Sequence, residues 1–227
     1  MTSEAKTAGT LEVHEIFESI CGEINGFAGI GQMSTFIRLT GCNLACRWCD
    51  TLYAKGKPEM EPEIEELLRM VMQRHVTITG GEPFEQSGVI RLANLLTAQG
   101  RLVSIETNGT HARPLTLSDD VRLIMDYKLP SSQMMDRMHL NPFASLNSFD
   151  WIKFVCKDEA DFAHALAFLR NTENLLCRNI AFSPIVKDNN YDWAHDLCDL
   201  MIIDHAANFT DWNFHFSMQI HKLIGAL

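Results

Sequence analysis

The sequence predicts an α/β fold built on a mainly parallel sheet. Short apolar, β-prone runs recur at 34–40, 76–79, 102–106, 122–127, 151–156, 180–186 and 214–220. Between most of them, apolar residues return at helical spacing. The unit repeats about every thirty residues, which is a βα cadence. Repeated βα units in one compact domain imply a parallel sheet, open or closed into a barrel. In either form, ligands sit beyond the carboxyl ends of the strands.

Taken in order, residues 1–10 are small, polar and patternless and read as a disordered tail, leaving 11–227 as a single domain. Residues 11–20 alternate imperfectly and read as a first strand or extended entry; 21–26 form a glycine-punctuated loop. The strand at 34–40 carries Phe36, Ile37 and Leu39, and also Arg38. An arginine inside an apolar strand must pair or enter a polar pocket, so anion anchor and internal ion pair both stand as readings. Pro62 suits a first helical turn, with Ile64, Leu67, Leu68 and Val71 on one stripe and acidic residues near the positive end. The strand at 76–79 stops at Gly80-Gly81-Glu82-Pro83, and a helix carrying Ile90, Ala93 and Leu96 stops at Gly100. The strand at 102–106 ends at Asn108-Gly109, and that at 122–127 ends at Lys128. Segment 130–150 is irregular and predicts loop or short helices. After the strand at 151–156 come helices at 161–170 and 193–203, flanking the strand at 180–186.

Composition narrows the function. A chain of 227 residues fits one domain and buries a core unaided. A net charge of -10 argues against a nucleic-acid surface. There is no secretory pattern before residue 30 and no apolar run long enough for a bilayer. Cys21, Cys156, Cys177 and Cys198 are scattered, mostly among apolar neighbours, and read as free thiols. A soluble, cytoplasmic protein with reduced thiols is expected.

The remaining three cysteines are concentrated. Cys42, Cys46 and Cys49 stand in a C-x3-C-x2-C pattern on one polar loop after a strand. Such a loop delivers converging thiolates to a soft, multi-iron site. Four thiolates close a cluster, whereas three leave one iron open to a group that is not protein. A structural zinc knuckle wants four protein ligands. Gly80 to Pro83, Glu106 to Gly109 and Asp126 to Lys128 follow the next three strands, so four polar loops fall at equivalent positions around one expected cavity. Each also has a plain reading, as a tight turn or a solvated lysine. Asp50-Thr51 offers a carboxylate and a hydroxyl to a hard cation such as Mg2+, or caps a turn. His221 is a lone histidine near the C-terminus.

The cysteine spacing resembles the signature of the radical S-adenosylmethionine (SAM) enzymes. The run 36–51 as a whole is similar to that of the 7-carboxy-7-deazaguanine synthases, as are Glu15 to Ile20, Thr77 to Pro83, Glu106 to Thr110, Lys128 to Ser132 and Gln219 to Lys222. The resemblance implies an incomplete, abbreviated (βα) radical SAM barrel that acts as a homodimer. It implies conversion of 6-carboxy-5,6,7,8-tetrahydropterin to 7-carboxy-7-deazaguanine with loss of ammonia, using a [4Fe-4S] cluster, SAM and Mg2+, and reduced by a donor such as flavodoxin or ferredoxin. Carried over by position, Cys42, Cys46 and Cys49 would hold the cluster and Thr51 would meet Mg2+. Trp48, Cys49, Asp50, Gly81, Asp126, Tyr127 and Lys128 would line SAM. Ile20, Cys21, Gly22, Arg38 and Thr79 would meet the pterin, with Glu23, His221 and Leu227 beside them. Departures from the family pattern are Cys21-Gly22-Glu23-Ile24, where Gln-Gly-Glu-Gly is usual, and Asp126-Tyr127-Lys128, where relatives often read Ser-Pro-Lys. The competing readings are a radical SAM activase that makes a glycyl radical on a partner protein and a zinc-binding structural module.

Overall fold

A computed structural model of the chain describes residues 9–27, 29–172, 175–187 and 190–225. Eight strands form one sheet in chain order: β1 (Val13–Ile20), β2 (Met33–Leu39), β3 (His75–Gly80), β4 (Leu102–Thr107), β5 (Arg122–Tyr127), β6 (Trp151–Cys156), β7 (Asn179–Pro184) and β8 (Asn213–Phe216). β1 runs antiparallel to β2, and every later neighbour pair is parallel. Among the described residues no pairing joins β8 to β1, so the sheet stays open, as the incomplete barrel requires. The crossovers are α1 (Ile64–Met70), α2 (Gly88–Ala98), the five-residue α3 (Leu140–Ala144), α4 (Glu159–Asn171) and α5 (Asp192–Asn208); a short α6 (Ile220–Ile224) follows β8. No helix separates β4 from β5, and that missing turn of the cadence is what abbreviates the barrel.

Side-chain alternation divides the sheet into two faces. Ile37, Ile78, Ile105, Leu123, Ile152 and Ile180 join the main apolar core with Leu67, Leu92, Leu96, Phe162 and Leu166 of the helices. On the opposite face, toward the carboxyl ends of the same strands, polar residues gather: Arg38, Thr79, Glu106, Asp126, Lys153 and Ser183. Register brings them together, since Arg38 lies opposite Thr79 and Asp126 opposite Lys153. A continuous apolar face is therefore bought from the helices, and a polar one is left for a ligand.

The loop after β1 fills the amino end of that inner face. Ile24 packs with Ile124, Trp151 and Ala181, and Ser104 Oγ donates to the Asn25 carbonyl. Gly26 has φ +78° and a Cβ there would lie 2.8 Å from Arg122 Cβ, so this turn needs glycine twice over. Among the described residues, the carboxyl end of the inner face is the one left open.

Several boundaries differ from expectation. The last strand stops at Phe216 rather than 220, because Ser217 Oγ takes the Ile24 N–H (3.1 Å) and the Ile220 N–H goes to the Gly22 carbonyl (3.0 Å). The strand expected to 186 ends at Pro184, which has no N–H to extend a ladder. Gly9 and Thr10, expected in the tail, are engaged: the Gly9 carbonyl accepts from Ile64 N at 3.0 Å, and Thr10 bridges Glu63. The rest of that tail, and Leu227, lie outside the described residues. No helix of the described residues is long and apolar enough to cross a membrane.

Candidate functional site

The carboxyl ends of β2 to β6 surround a cavity of about 820 Å³. Cys42, Cys46 and Cys49 all border it, and none is in a disulfide. Their loop leaves β2 through Gly41, whose φ of +89° makes the turn. It is then pinned from outside. Trp48 Nε1 donates to Ser131 Oγ (3.0 Å), Arg47 N to the Ser132 carbonyl (3.0 Å) and Lys55 Nζ to the Leu44 carbonyl (2.8 Å). Two amide donors reach toward the Cys42 sulfur, Leu44 N at 3.5 Å and Asn108 Nδ2 at 3.7 Å, and such donors stabilise thiolate charge. Burial pushes the Cys46 thiol up, with Lys128 opposing that shift. Among the described residues no three His, Cys, Asp or Glu side chains gather closely enough for a single metal ion. Three thiols facing one roomy cavity from one pinned loop fit a cluster, which spreads its thiolate ligands over several metals.

The second loop holds the first in place. At Gly81 a Cβ would fall 1.5 Å from the Gly41 carbonyl oxygen, so the two turns touch backbone to backbone. Glu82 N donates to that same carbonyl at 2.7 Å. The buried Glu82 carboxylate accepts from Thr107 Oγ1 (2.8 Å), Asn108 N (2.6 Å) and Phe84 N (3.0 Å). Burial raises its pKa while these donors oppose the shift. Asn108 Nδ2 in turn reaches Asn43 Oδ1 at 2.7 Å. Gly80 to Pro83 and Glu106 to Gly109 are thus a clamp on the cysteine loop.

Below the cysteines the inner face is charged. Lys128, almost fully buried, donates to Asp126 Oδ2 at 2.6 Å, with its ammonium 5.6 Å from the Trp48 ring centroid. Thr79 Oγ1 donates to Glu106 Oε2 at 2.8 Å. Lys153 Nζ pairs with Glu23 from the first loop. Burial alone would lower the Lys153 pKa, but Glu23, Asp126 and Glu106 outweigh it and hold the ammonium charged. Burial pushes the Glu106 carboxyl up, against the pull of Lys153. Arg38 Nε pairs with Glu15 at 2.7 Å, its guanidinium resting against the Phe17 and Tyr53 rings. Of the two readings left open for Arg38, the ion pair is present, and the side chain borders the cavity as well.

The expected site residues converge, with two exceptions. Trp48, Asp50, Thr51, Gly81, Asp126 and Lys128 border the cavity on the cysteine side, and Ile20, Cys21, Gly22, Glu23, Arg38, Thr79 and His221 border it elsewhere. Cys21 is buried, its sulfur 3.9 Å from Thr77 Oγ1. His221 packs on Gly22 so closely that a Cβ there would sit 1.7 Å from Nδ1. Thr51 Oγ1 lies 3.6 Å from Cys49 Sγ. Asp50 is held by Lys222 Nζ at 2.5 Å, which keeps its carboxyl below the usual range despite the opposing effect of burial. The Tyr127 side chain is the first exception. One residue past Asp126 it faces the helix layer, packing at tilted and edge-on angles among Phe143, Phe154 and Phe168, and does not border the cavity. Leu227, the second, lies outside the described residues. Lys153 also borders the cavity and was not anticipated, while Ser131, Gln219 and Lys222 lie in family-like runs without having been assigned to the site. For Lys153 a signal existed: like Arg38, it is a cation inside an apolar strand.

These features, an open mainly parallel sheet with a three-cysteine loop at the mouth of β2, define a radical SAM enzyme, and the profile of the Radical SAM superfamily matches residues 36–201. Over most of its length the chain is similar to 7-carboxy-7-deazaguanine synthase from Clostridium acetobutylicum (39% identity, covering 94% of this chain and 95% of the relative). It is also similar to the synthase from Thermoplasma acidophilum (32%, covering 93% and 96%). The chain belongs to the 7-carboxy-7-deazaguanine synthase family. Among solved structures, QueE from Escherichia coli shares the fold with a TM-score of 0.71 at 24% identity, covering 96% of this chain and 98% of that one. Streptococcus suis SuiB gives a TM-score of 0.57 over 79% of this chain and 47% of its own.

Proposed function

We propose that the chain converts 6-carboxy-5,6,7,8-tetrahydropterin to 7-carboxy-7-deazaguanine with release of ammonia, as a radical SAM lyase of 7-deazapurine biosynthesis. The observation that carries this reading is the coincidence, in one cavity, of three free thiols and a charged floor suited to a zwitterionic heterocycle. Although the whole chain is acidic, eight Lys or Arg residues border the cavity against five Asp or Glu. That balance favours a carboxylate-bearing substrate.

When bound, a [4Fe-4S] cluster with SAM supplies the one-electron, hydrogen-abstracting chemistry that side chains lack. Cys42, Cys46 and Cys49 would hold the cluster, and the Thr51 hydroxyl would offer an oxygen to Mg2+. Trp48, Asp50, Gly81, Asp126 and Lys128 would line SAM. Arg38 would meet the substrate carboxylate as a charge-assisted donor, its free nitrogens available while Nε holds Glu15. Glu23 and Thr79 offer an acceptor and a hydroxyl to the N–H groups of the ring. The loop after β1 closes the amino end of the sheet and so keeps water out from beneath. A flavodoxin or ferredoxin would serve as electron donor to a cytoplasmic homodimer, as the family resemblance implies.

The test is anaerobic reconstitution with iron and sulfide, followed by incubation with SAM, reductant, Mg2+ and the carboxypterin. Deazaguanine product of the expected mass, with 5′-deoxyadenosine, supports the reading. Cofactor cleavage without that product would overturn it.

A further inference from the structure

We propose that Lys153 is a positioning residue for substrate recognition: it holds the Glu23 carboxylate in the cavity as a fixed acceptor for the N–H edge of the bound heterocycle. The inference rests on the pterin reading above and deepens it. Lys153 is buried in the middle of β6, yet its ammonium lies on the cavity face. Three carboxylates surround it, from three different elements. Glu23 comes from the loop after β1, Glu106 from β4, and Asp126 sits opposite Lys153 in the β5–β6 register.

Two of the three have other partners. Asp126 is held by Lys128 at 2.6 Å, and Glu106 by Thr79 at 2.8 Å. For Glu23 the hydrogen-bonding partner among the described residues is Lys153 alone. That contact spans 130 positions of sequence and fixes the Glu23 side chain on a loop whose backbone is held separately by Ser104, Ser217 and Ile220. A carboxylate has room for several donors, so an ammonium that takes one oxygen leaves the other free. Fixed and charged, that oxygen suits the adjacent N–H donors of a 2-amino-4-oxopyrimidine ring. Without the lysine, the largely buried Glu23 side chain loses its orientation and its counter-charge together.

The test compares Lys153→Met, Glu23→Gln and the double variant in the reconstituted protein. Equilibrium dialysis measures the carboxypterin and SAM separately, and KM and kcat are read from product formation. Each single variant is expected to lose about tenfold or more in pterin affinity, with SAM affinity retained. The double variant is expected to lose no more than either single one, because both remove the same contact. Lys153→Arg, which keeps the charge, is expected to recover most of the affinity and to shift KM more than kcat. Should Lys153→Met fail to fold, Lys153→Gln makes the same comparison. Additive losses, a loss of SAM affinity equal to that of pterin, or wild-type pterin affinity in Lys153→Met would overturn the inference alone. Failure of the unaltered protein to bind or turn over the carboxypterin would overturn the functional reading and this inference with it.

Discussion

The two ends of the sheet contain the same chemistry put to opposite use. At the amino end, Arg113 and Asp150 form a buried ion pair at 3.0 Å. Asp150 also accepts from Leu123 N (2.8 Å) and Asn147 N (2.9 Å), while Arg113 donates to the Ser118 and Val121 carbonyls. Both Asp150 oxygens and both terminal nitrogens of Arg113 are consumed inside the protein. At the carboxyl end, the Lys128–Asp126 and Lys153–Glu23 pairs are nearly as buried, but each borders the cavity. A buried ion pair with its valences filled is scaffold, and one with capacity left over, facing a cavity, is a place for a ligand.

The sharpest break between the ends comes from the cysteines. Cys46→Ala should abolish 5′-deoxyadenosine formation and lower bound iron, while the circular dichroism of the fold stays. Unchanged 5′-deoxyadenosine, measured by chromatography, would refute the cluster assignment. The converse change is Asp150→Ala, which strands a buried guanidinium. It should cost about 3–5 kcal/mol in denaturant unfolding, with turnover per folded molecule unchanged. An altered turnover per folded molecule would mean the two ends are not separable. Gly81→Ala should cost about 1–3 kcal/mol, since its new Cβ must displace the Gly41 backbone. SAM affinity by dialysis should fall with it, because that backbone launches the cysteine loop.

The smallest effect is expected at the rim. The Asp50–Lys222 pair is half-exposed, so Lys222→Met should cost under about 1 kcal/mol. The sign with pH follows from the direction of the shift. Asp50 titrates lower folded than unfolded, so its stabilisation is present above the ordinary carboxylate pKa and disappears as pH falls through the depressed value. Wild type and variant should therefore converge in stability in strong acid and separate toward neutral pH. A gap that persists in acid would assign the effect to packing.

The two ends were unequally legible. The carboxyl-end loops stood out because glycine, cysteine and proline clusters interrupt apolar strands at regular intervals. The Arg113–Asp150 hub left no local trace, since its partners are a loop arginine and an aspartate 37 positions apart. Tyr127 shows the limit at single-residue scale: family position suggested a cofactor contact, and strand alternation turned its ring into the helix layer. The C-terminal segment, whose residues read equally well as strand, left the sheet to bond with the loop after β1.

By itself the sequence determined the α/β class, the succession of strands along the chain and the loop that carries three thiols, because periodicity and cysteine spacing are local properties of the chain. Only the tertiary structure decided which cations meet which carboxylates on the cavity floor, that Glu23 is held from β6, and that Glu82 clamps the cysteine loop. Those choices depend on pairings between residues distant in the chain: a cation in an apolar strand shows that it needs a partner, but the partner is named only when the strands stand side by side.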